Sequence, residues 1–440
     1  MFAPYDVLRE QLRIMLRDKT DQGRDVDGLA ERVDAVPDDY QAIADLAAVI
    51  DAAPARPDWP YVEPSDLAGI RAERTGTDLA PVTVADAAQR AEAGFLASVA
   101  GCVLGKPVEL FITLAELRPA LERIGEWPLR DYISERLGAP EGLGRLSRDW
   151  PETVRERIRF VAADDDINYT LLGLMALERH GTGFTKADLR RLWLDNLPIA
   201  YTWGPERTFL TKQALAMGID DNPSMDLDAL PATLNPGEEL CGAMIRADAY
   251  GYACPGRPDL ASELAWRDAS LTHRGTGIYG AMFAAAAIAA AFTTPDPLEI
   301  FGVALGYVPR RSRFAAIVGD SLSQVAEATD WLDGYQRIHE RYGEYGFCRV
   351  LQESGTLVNT LRFAADVGDG ICIQVMQGLD TDSYGATAGA ILGVHFGPGH
   401  LDARWLDPFH DTIRTTLAGW YEQSLAATAK RIAALTALGT

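Results

Sequence analysis

Two aspartate clusters, each directly followed by an apolar stretch with helical spacing, constrain this chain more than any other feature. The first is 164–166, before the stretch 167–172, and the second is Asp380 with Asp382, before the small-residue stretch 384–390. Adjacent carboxylates repel each other, and a helix N-terminus supplies only about half a positive charge. A fold that buries both clusters therefore needs further positive charge, and a divalent cation would provide it.

The clusters lie far apart in the chain, so the fold has to assemble any shared site. A local loop of the EF-hand type is excluded for this reason. The ligands would be hard oxygens, namely carboxylates with the hydroxyl of Thr381 or Ser383, which favour magnesium, manganese or calcium over zinc or copper. A single aspartate run is more often only a helix cap with solvated neighbours. Two such clusters together favour a metal site.

Composition and charge limit the classes of function. The chain has 440 residues, of which 48% are hydrophobic, and this is ample for one large core or two smaller ones. Its formal net charge is −22, and no Lys/Arg-rich segment interrupts the acidity. We therefore expect no nucleic-acid partner. The acidity also repels anionic substrates unless bound cations invert the potential at the site.

Three features predict a cytoplasmic protein without a membrane partner. Segment 1–10 has neither the basic nor the apolar region of a secretory signal. The longest apolar run, 280–292, is too short to span a bilayer and predicts a buried helix. Five cysteines are scattered along the chain: Cys102, Cys241, Cys254, Cys348 and Cys372. They form no CxxC pair and no disulfide framework, in agreement with a reducing compartment.

The pattern of apolar residues divides the chain into two parts. Helical spacing in 7–16 and 40–50 predicts amphipathic helices, and the proline-rich stretch 53–64 predicts an extended linker. We assign residues 1–80 to an N-terminal helical extension with this linker, and residues 81–440 to the main domain. Ala- and Leu-rich stretches with little β-branched alternation predict that the main domain is all-α.

Small residues recur at helical spacing in two stretches of the main domain. Segment 284–291 is nearly all alanine, and Gly385, Gly389 and Gly393 share one helical face. Small faces let helices pack closely, which brings loops from distant segments together. The C-terminal stretch 405–438 predicts one or two ordinary amphipathic helices.

Four segments stand in an order and spacing that are specific when taken together. They are GFLASVAGCVLGKPVE at 94–109, DDDINYT at 164–170, ASLTHRGTGIYGAMFAAAA from residue 269, and GLDTDSYGATAGAILG at 378–393. Each resembles a motif of the ADP-ribosylglycohydrolases, a family that includes the dinitrogenase reductase-activating glycohydrolases. The resemblance covers about residues 88–400. It implies a compact all-α domain with a dinuclear metal centre in a cleft.

The resemblance also implies the ligands of two divalent cations, magnesium or alternatively manganese. The matching residues are Asp165 and Asp166 in the family's first pair, and Asp380, Asp382 and Ser383 in its second set. Asp164 stands where the family commonly has a metal-binding threonine. A carboxylate can replace that hydroxyl oxygen but adds a negative charge, so Asp164 is included in the expected metal set.

The implied reaction is hydrolysis of the bond at the anomeric carbon of a ribose, in an ADP-ribosylated or related ribosyl substrate. Glu109 matches a glutamate discussed in the family as a base or gate, and a metal-bound carboxylate, Asp165 or Asp166, is the other candidate to accept the proton of the attacking water. No covalent nucleophile is required. Cys102 replaces an aspartate of the first motif, and we interpret it as a packing residue.

Substrate contacts are expected from residues that lie in or beside these motifs. The candidates are His273, Asn168, Gly242, Gly378 and Thr381. A structural role for His273 is an equally good interpretation. Leu240 and Cys241 stand where many family members have Gly and Asn, and Leu379 replaces a glycine before the second metal pair. These departures bring a smaller N-riboside or nucleotide into consideration beside an ADP-ribosylated substrate.

Two further classes of protein share some of these features. A non-catalytic structural or binding descendant of the family would have little reason to keep so many acidic groups together, since unpaired buried charge is destabilising. A metal-dependent phosphoesterase would share the ligands, but Arg246 and Arg274 alone are insufficient to hold a phosphate. The leaving group, the choice between magnesium and manganese, the oligomeric state and the role of the N-terminal extension stay open.

Overall fold

The computed structural model describes residues 3–140, 142–217 and 226–439. Regular structure in these ranges is almost entirely helical, which confirms the predicted all-α fold. The α-helices are α1 Tyr5–Asp21, α2 Leu29–Ala35, α3 Tyr40–Asp51, α4 Leu67–Glu73, α5 Ala87–Gly105, α6 Leu114–Ile124, α7 Trp150–Thr153, α8 Asp165–His180, α9 Lys186–Asn196, α10 Gly204–Ala216, α11 Asp248–Tyr252, α12 Pro258–Ala269, α13 Gly275–Ala291, α14 Pro297–Leu305, α15 Arg313–Glu327, α16 Trp331–Tyr342, α17 Val350–Phe363, α18 Val367–Met376, α19 Thr381–Phe396 and α20 Leu425–Ala434.

Short 3₁₀ turns and two small ladders connect the helices. The 3₁₀ turns are Lys106–Val108, Glu135–Leu137, Gly181–Gly183, Ile199–Tyr201, Leu230–Ala232, Cys241–Arg246, Ala403–Trp405, Asp407–Phe409 and Leu435–Ala437. The antiparallel ladders pair β1 Ile112–Thr113 with β2 Gly378–Leu379, and β3 Thr412–Arg414 with β4 Glu422–Ser424. The predicted amphipathic helix in 405–438 is present as α20, but the prediction missed the β3–β4 ladder that precedes it. The backbone of β3 is held by Val161 as well as by β4, and this tertiary pairing is invisible in the local pattern.

Side-chain caps fix where several helices begin. In each case the carboxylate or hydroxyl of the residue before the helix accepts a backbone N–H of its first turn, which satisfies a donor that has no partner within the helix. These caps are Asp39 for α3, Asp66 for α4, Thr185 for α9, Asp296 for α14, Ser312 for α15, Asp330 for α16, Asp366 for α18 and Ser424 for α20.

Two long helices lie in the core of the main domain. All residues of α13 are buried, which confirms the buried helix predicted at 280–292. Segment 87–108, which is α5 with the 3₁₀ turn after it, is long and apolar enough to cross a membrane by length and composition alone. However, 83% of its most apolar window is buried inside the molecule. Such burial is typical of a core helix and not of a helix that faces lipid.

Helix α5 packs antiparallel against α19, with backbone touching backbone at one-turn spacing. At each contact a Cβ on the glycine would overlap a carbonyl of the other helix. The pairs are Gly101 with Gly385, Gly105 with Thr381, Gly389 with Ala97, and Gly393 with Ala93. Small side chains are what allow this close approach. The packing holds the C-terminal end of α5 beside the N-terminal end of α19.

Replacing Gly389 by alanine should separate these two helices. The new Cβ would overlap the carbonyl oxygen of Ala97, so we expect the free energy of unfolding to fall by about 1–3 kcal/mol. Gly319 in α15 is the matched control, because its Cβ would meet no atom within 4 Å. There the same substitution should stabilise by about 0.5–1 kcal/mol through helix propensity. Urea unfolding of both variants measures the contrast, and equal effects would contradict the packing argument.

The N-terminal helices α1 to α3 have a small apolar core of their own. It is formed by Leu12, Met15, Leu16, Leu29, Val33, Val36, Ile43, Leu46, Ala47 and Ile50. Buried polar contacts join it to the main domain: Asp18 accepts from the backbone N of Gly237 at 2.7 Å and from Arg349 at 2.9 Å. Lys19 pairs with Glu238 at 2.6 Å. These contacts support a role of the N-terminal extension in bracing the main domain.

Candidate metal centre

Three helix ends meet in the interior, and they carry the acidic residues of the first, second and fourth motifs. The end of α5 leads into Lys106, while Asp164 precedes α8 and Asp382 lies in the first turn of α19. Lys106 Nζ lies 2.6 Å from Asp164 Oδ2 and 3.0 Å from Asp382 Oδ2. Ser383 Oγ donates to Asp166 Oδ2 at 3.3 Å. The fold therefore brings the two aspartate clusters together, as the sequence predicts.

The aspartates at the start of α8 act both as helix cap and as part of this cluster. Asp164 Oδ1 accepts the backbone N–H of Asp166 at 3.0 Å, which is a cap contact, while its second oxygen faces Lys106. Asp380 precedes α19 without a side-chain cap. Its backbone N donates instead to Glu353 Oε1 at 2.8 Å. The cap interpretation of an aspartate run is thus correct for Asp164 but does not account for the whole cluster.

Several buried carboxylate oxygens in the cluster receive no hydrogen bond from any described residue. They are Asp166 Oδ1, Asp382 Oδ1 and Glu353 Oε2. A buried carboxylate oxygen without a donor is costly, and a cation is the group that would satisfy it. All of these atoms are hard oxygen ligands of the kind that magnesium and manganese prefer. The residues present therefore fit a divalent cation.

The charges of the cluster perturb one another strongly. Burial and the neighbouring Asp164 raise the pKa of Asp165 to about 7. Burial and Asp382 raise the pKa of Glu109 to about 10. Burial also raises the pKa of Asp166 and Asp380 well above the ordinary range. A bound cation would oppose these shifts, because it stabilises the ionised carboxylates.

Asp382 is the exception in this cluster. Its burial alone would raise its pKa, but the ammonium of Lys106 and the hydrogen bonds that Asp382 accepts hold the pKa below its usual value. Asp382 is therefore the carboxylate that stays ionised most readily. The negative charge at this position is matched by the positive charge of Lys106.

Glu109 is held in place by two donors. Ser147 Oγ donates to Glu109 Oε1 at 2.6 Å, and Lys106 Nζ donates to Oε2 at 2.7 Å. The next residues lead to Phe111, whose backbone has a φ of 62° and whose ring is 65% exposed. That ring lies 4.2 Å, centroid to centroid, from the ring of Phe347. The exposed Phe111 therefore follows the Glu109 turn closely in the chain, and the fold places the half-buried Phe347 from a distant segment against it.

Thiols accompany the carboxylates on two sides. Cys102, Asp164 and Asp166 each offer a ligand atom within 4.8 Å of the others, so Cys102 lies beside the aspartates as well as packing in the core. On the other side, Cys241 Sγ lies 2.7 Å from Cys348 Sγ and donates to Asp380 Oδ2 at 3.0 Å. Cys102 and Cys241 therefore each lie beside a predicted metal ligand.

Three of the predicted substrate-binding residues have their polar groups engaged within the protein. The side chain of Asn168 donates to Thr416 Oγ1 at 2.8 Å and accepts the Thr416 backbone N–H at 3.2 Å. Thr381 Oγ1 donates to the carbonyl of Gly105 at 2.8 Å. Gly378 has a φ of 80° and belongs to the β1–β2 ladder. A contact of these residues with substrate stays a prediction.

Gly242 and His273 lie in a second buried polar group, centred on Arg246. The guanidinium of Arg246 donates to Glu206, to Asp268 and to the carbonyl of Gly242. His273 is fully buried, with Nδ1 2.8 Å from Thr272 Oγ1 and no described partner for Nε2. No hydrogen bond of the described residues joins His273 to the aspartate cluster. Its predicted contact with substrate is untested.

Sequence reasoning missed three residues of the cluster. Lys106 interrupts the apolar end of α5 and stands one helical turn before Glu109, which was the available signal. Glu353 and Ser147 carry no local signal, because each is a single polar residue in an unrelated stretch. Their roles follow only from the tertiary contacts with Asp380 and Glu109.

The fold and this cluster define an all-α protein whose buried carboxylates can hold a hard divalent cation. The chain matches the model of the ADP-ribosylglycohydrolase family over residues 83–438, and it belongs to that family. The family is generally metal-dependent. No curated protein matches the chain. A similar solved structure is an "ADP-ribosylglycohydrolase-related protein complex", with a TM-score of 0.53, 19% identity, and coverage of 81% of this chain and 99% of that one. This likeness shows the fold alone.

Proposed function

We propose that the protein is a metal-dependent glycohydrolase that cleaves the anomeric bond of an ADP-ribosylated or related ribosyl substrate. The observation that carries the proposal is the set of buried carboxylate oxygens without protein donors, Asp166 Oδ1 and Asp382 Oδ1, at two positions of the family's metal motifs. Family membership supports glycohydrolase chemistry. The cation would be magnesium or manganese, in keeping with the oxygen ligands.

The residues would divide the work as follows. Asp166, Asp382 and Ser383 would hold the cation, which when bound supplies Lewis acidity toward the ribose hydroxyls and an attacking water. Glu109 or Asp165 would accept the proton of that water, since both are carboxylates at the edge of the cluster and are less buried than the other acids. Ser147 and Lys106 would orient Glu109.

A smaller ribosyl compound is the second candidate substrate. Arg246 lies in the segment where the family holds the ADP-ribose end, but here its guanidinium is buried among Glu206, Asp268 and Thr272. It is 1% exposed and so is not available to a diphosphate. This observation favours a compound without a diphosphate, such as an N-riboside, over a protein-linked ADP-ribose. The exposed Phe111, packed against Phe347, would offer a stacking surface to a base in either case.

The test is a substrate panel with the manganese-loaded protein. Peptides ADP-ribosylated on arginine or serine are compared with small N-ribosides and nucleotides, and released ADP-ribose or ribose is separated by chromatography. We expect release that is abolished by a chelator. The Asp166→Asn variant should lose at least about 100-fold in rate, since even partners that only orient metal ligands contribute 10- to 100-fold.

Asp402→Asn is the control, because the Asp402 side chain is 75% exposed and its ion pair among the described residues is with the half-exposed Arg404. Its rate should equal that of the unchanged protein. Release of ADP-ribose supports the first candidate, and release of ribose or a free base from the small compounds supports the second. Absence of release from every compound in the metal-loaded protein contradicts both and favours a non-catalytic role.

A further inference from the structure

The ammonium of Lys106 occupies a position among the carboxylates that resembles that of a bound cation. Its Nζ lies at ion-pair distance from three carboxylates of three separate segments: Asp164 at 2.6 Å, Glu109 at 2.7 Å and Asp382 at 3.0 Å. The ammonium donates hydrogen bonds to Glu109 and Asp382 and forms an ion pair with Asp164. The residue is only 8% exposed. Lys106 is therefore an internal counter-ion of the cluster.

The backbone at Lys106 is fixed by helix packing. Gly105, the residue before it, lies so close to α19 that a Cβ there would overlap the carbonyl of Thr381. Thr381 Oγ1 in turn donates to the Gly105 carbonyl at 2.8 Å. The lysine side chain therefore starts from a fixed backbone position beside the N-terminal turn of α19, which carries Asp382.

The oxygens that lack a protein donor lie elsewhere on the same carboxylates. Lys106 uses the Oδ2 atom of Asp382, whereas Asp382 Oδ1 has no described donor. Asp166 Oδ1 is likewise without a donor, and Ser383 contacts the other oxygen of Asp166. The cluster thus has one position already filled by a protein cation and further oxygens that still require a positive charge.

We propose that Lys106 replaces one of the two divalent cations expected from the family resemblance, so that the protein binds a single divalent cation through Asp166, Asp382 and Ser383. The inference rests on the proposed function and concerns the composition of the same site. A second cation in contact with Asp164 and Glu109 would have to approach the ammonium closely, and like charges in a buried site repel strongly. Removal of the ammonium should open the second position.

The test measures manganese stoichiometry and needs no substrate. Isothermal titration with Mn²⁺ should give one ion per chain for the unchanged protein and two for Lys106→Ala. Electron paramagnetic resonance supplies a second readout: an isolated Mn²⁺ spectrum is expected for the unchanged protein, and a spin-coupled pair for the variant. Lys106→Gln removes the charge and keeps a polar side chain only one atom shorter, and it serves as the second variant if Lys106→Ala does not fold.

Lys19→Ala is the matched control. Lys19 is another lysine with 8% exposure, but it pairs with Glu238 and Asp51, so its loss should leave one manganese per chain. Two ions in the unchanged protein would overturn the role of Lys106 and leave the proposed function intact. One ion in both Lys106 variants would also overturn it. No binding by any form would contradict the metal-dependent function itself.

Discussion

Replacing Arg246 by methionine is expected to lower the free energy of unfolding by about 3–5 kcal/mol, because it leaves two buried carboxylates without their cation. Arg246 is 1% exposed and donates to Glu206 and Asp268, which are 3% exposed each. Its guanidinium also lies 5.0 Å from the centroid of the Trp193 ring. Methionine fills much of the volume of the arginine stem, so the lost charge dominates the change. Urea unfolding near neutral pH measures it.

Two controls separate charge from packing in this experiment. Arg157→Met removes an arginine from an exposed ion pair: the Arg157 side chain is 57% exposed and that of its partner Glu135 is 39% exposed. This substitution should lower the free energy of unfolding by less than about 1 kcal/mol. Combining Arg246→Met with Glu206→Gln and Asp268→Asn should recover most of the loss, since no unpaired charge then stays buried. A loss for Arg246→Met as small as that for Arg157→Met would contradict the argument.

The sequence predicted the helical framework because helical periodicity is a local property. The buried helix at 280–292 and the small face of Gly385, Gly389 and Gly393 both appear in the structure as expected. The pairing of this face with α5 was beyond local reasoning, since any other small-residue helix was an equal candidate. The β3–β4 ladder was missed for the same reason: its partners are defined by the tertiary fold.

The candidate site likewise has a part that the sequence predicted and a part that only the tertiary fold shows. Aspartates that repel each other in sequence predicted a compensating positive charge, and the structure brings Asp164, Asp166 and Asp382 together. The sequence could not show that the protein supplies part of the positive charge itself. Its position at the end of an apolar helix distinguishes Lys106 in the sequence, but the carboxylates around it do not show there, because Asp164 and Asp382 come from distant segments.

The buried carboxyl of Asp248 leads to an expected pH dependence of stability that is independent of the metal centre. Asp248 is 2% exposed, and Ser98 Oγ donates to its Oδ2 at 3.0 Å, while Oδ1 has no described donor. Burial raises the pKa of Asp248 to about 7 in the folded protein, above the ordinary value of 3.8. The contribution of Asp248 to the free energy of unfolding is therefore fully present below about pH 4, where the carboxyl is protonated in both states. It falls between pH 4 and 7 and is constant above pH 7.

Asp248→Asn should remove this dependence, because an amide does not ionise. A shift of about three units corresponds to about 4 kcal/mol, so the variant should gain about that much relative to the unchanged protein as the pH rises from 4 to 8. The contributions of the other titrating carboxylates to the free energy of unfolding are the same in both proteins, so they cancel in the difference. Urea unfolding at both pH values measures it, with the exposed Asp402→Asn as a variant whose difference should not change. A difference for Asp248→Asn that is equally flat would mean that the buried carboxyl is ionised near pH 4 and has a counter-charge, which would contradict the burial argument.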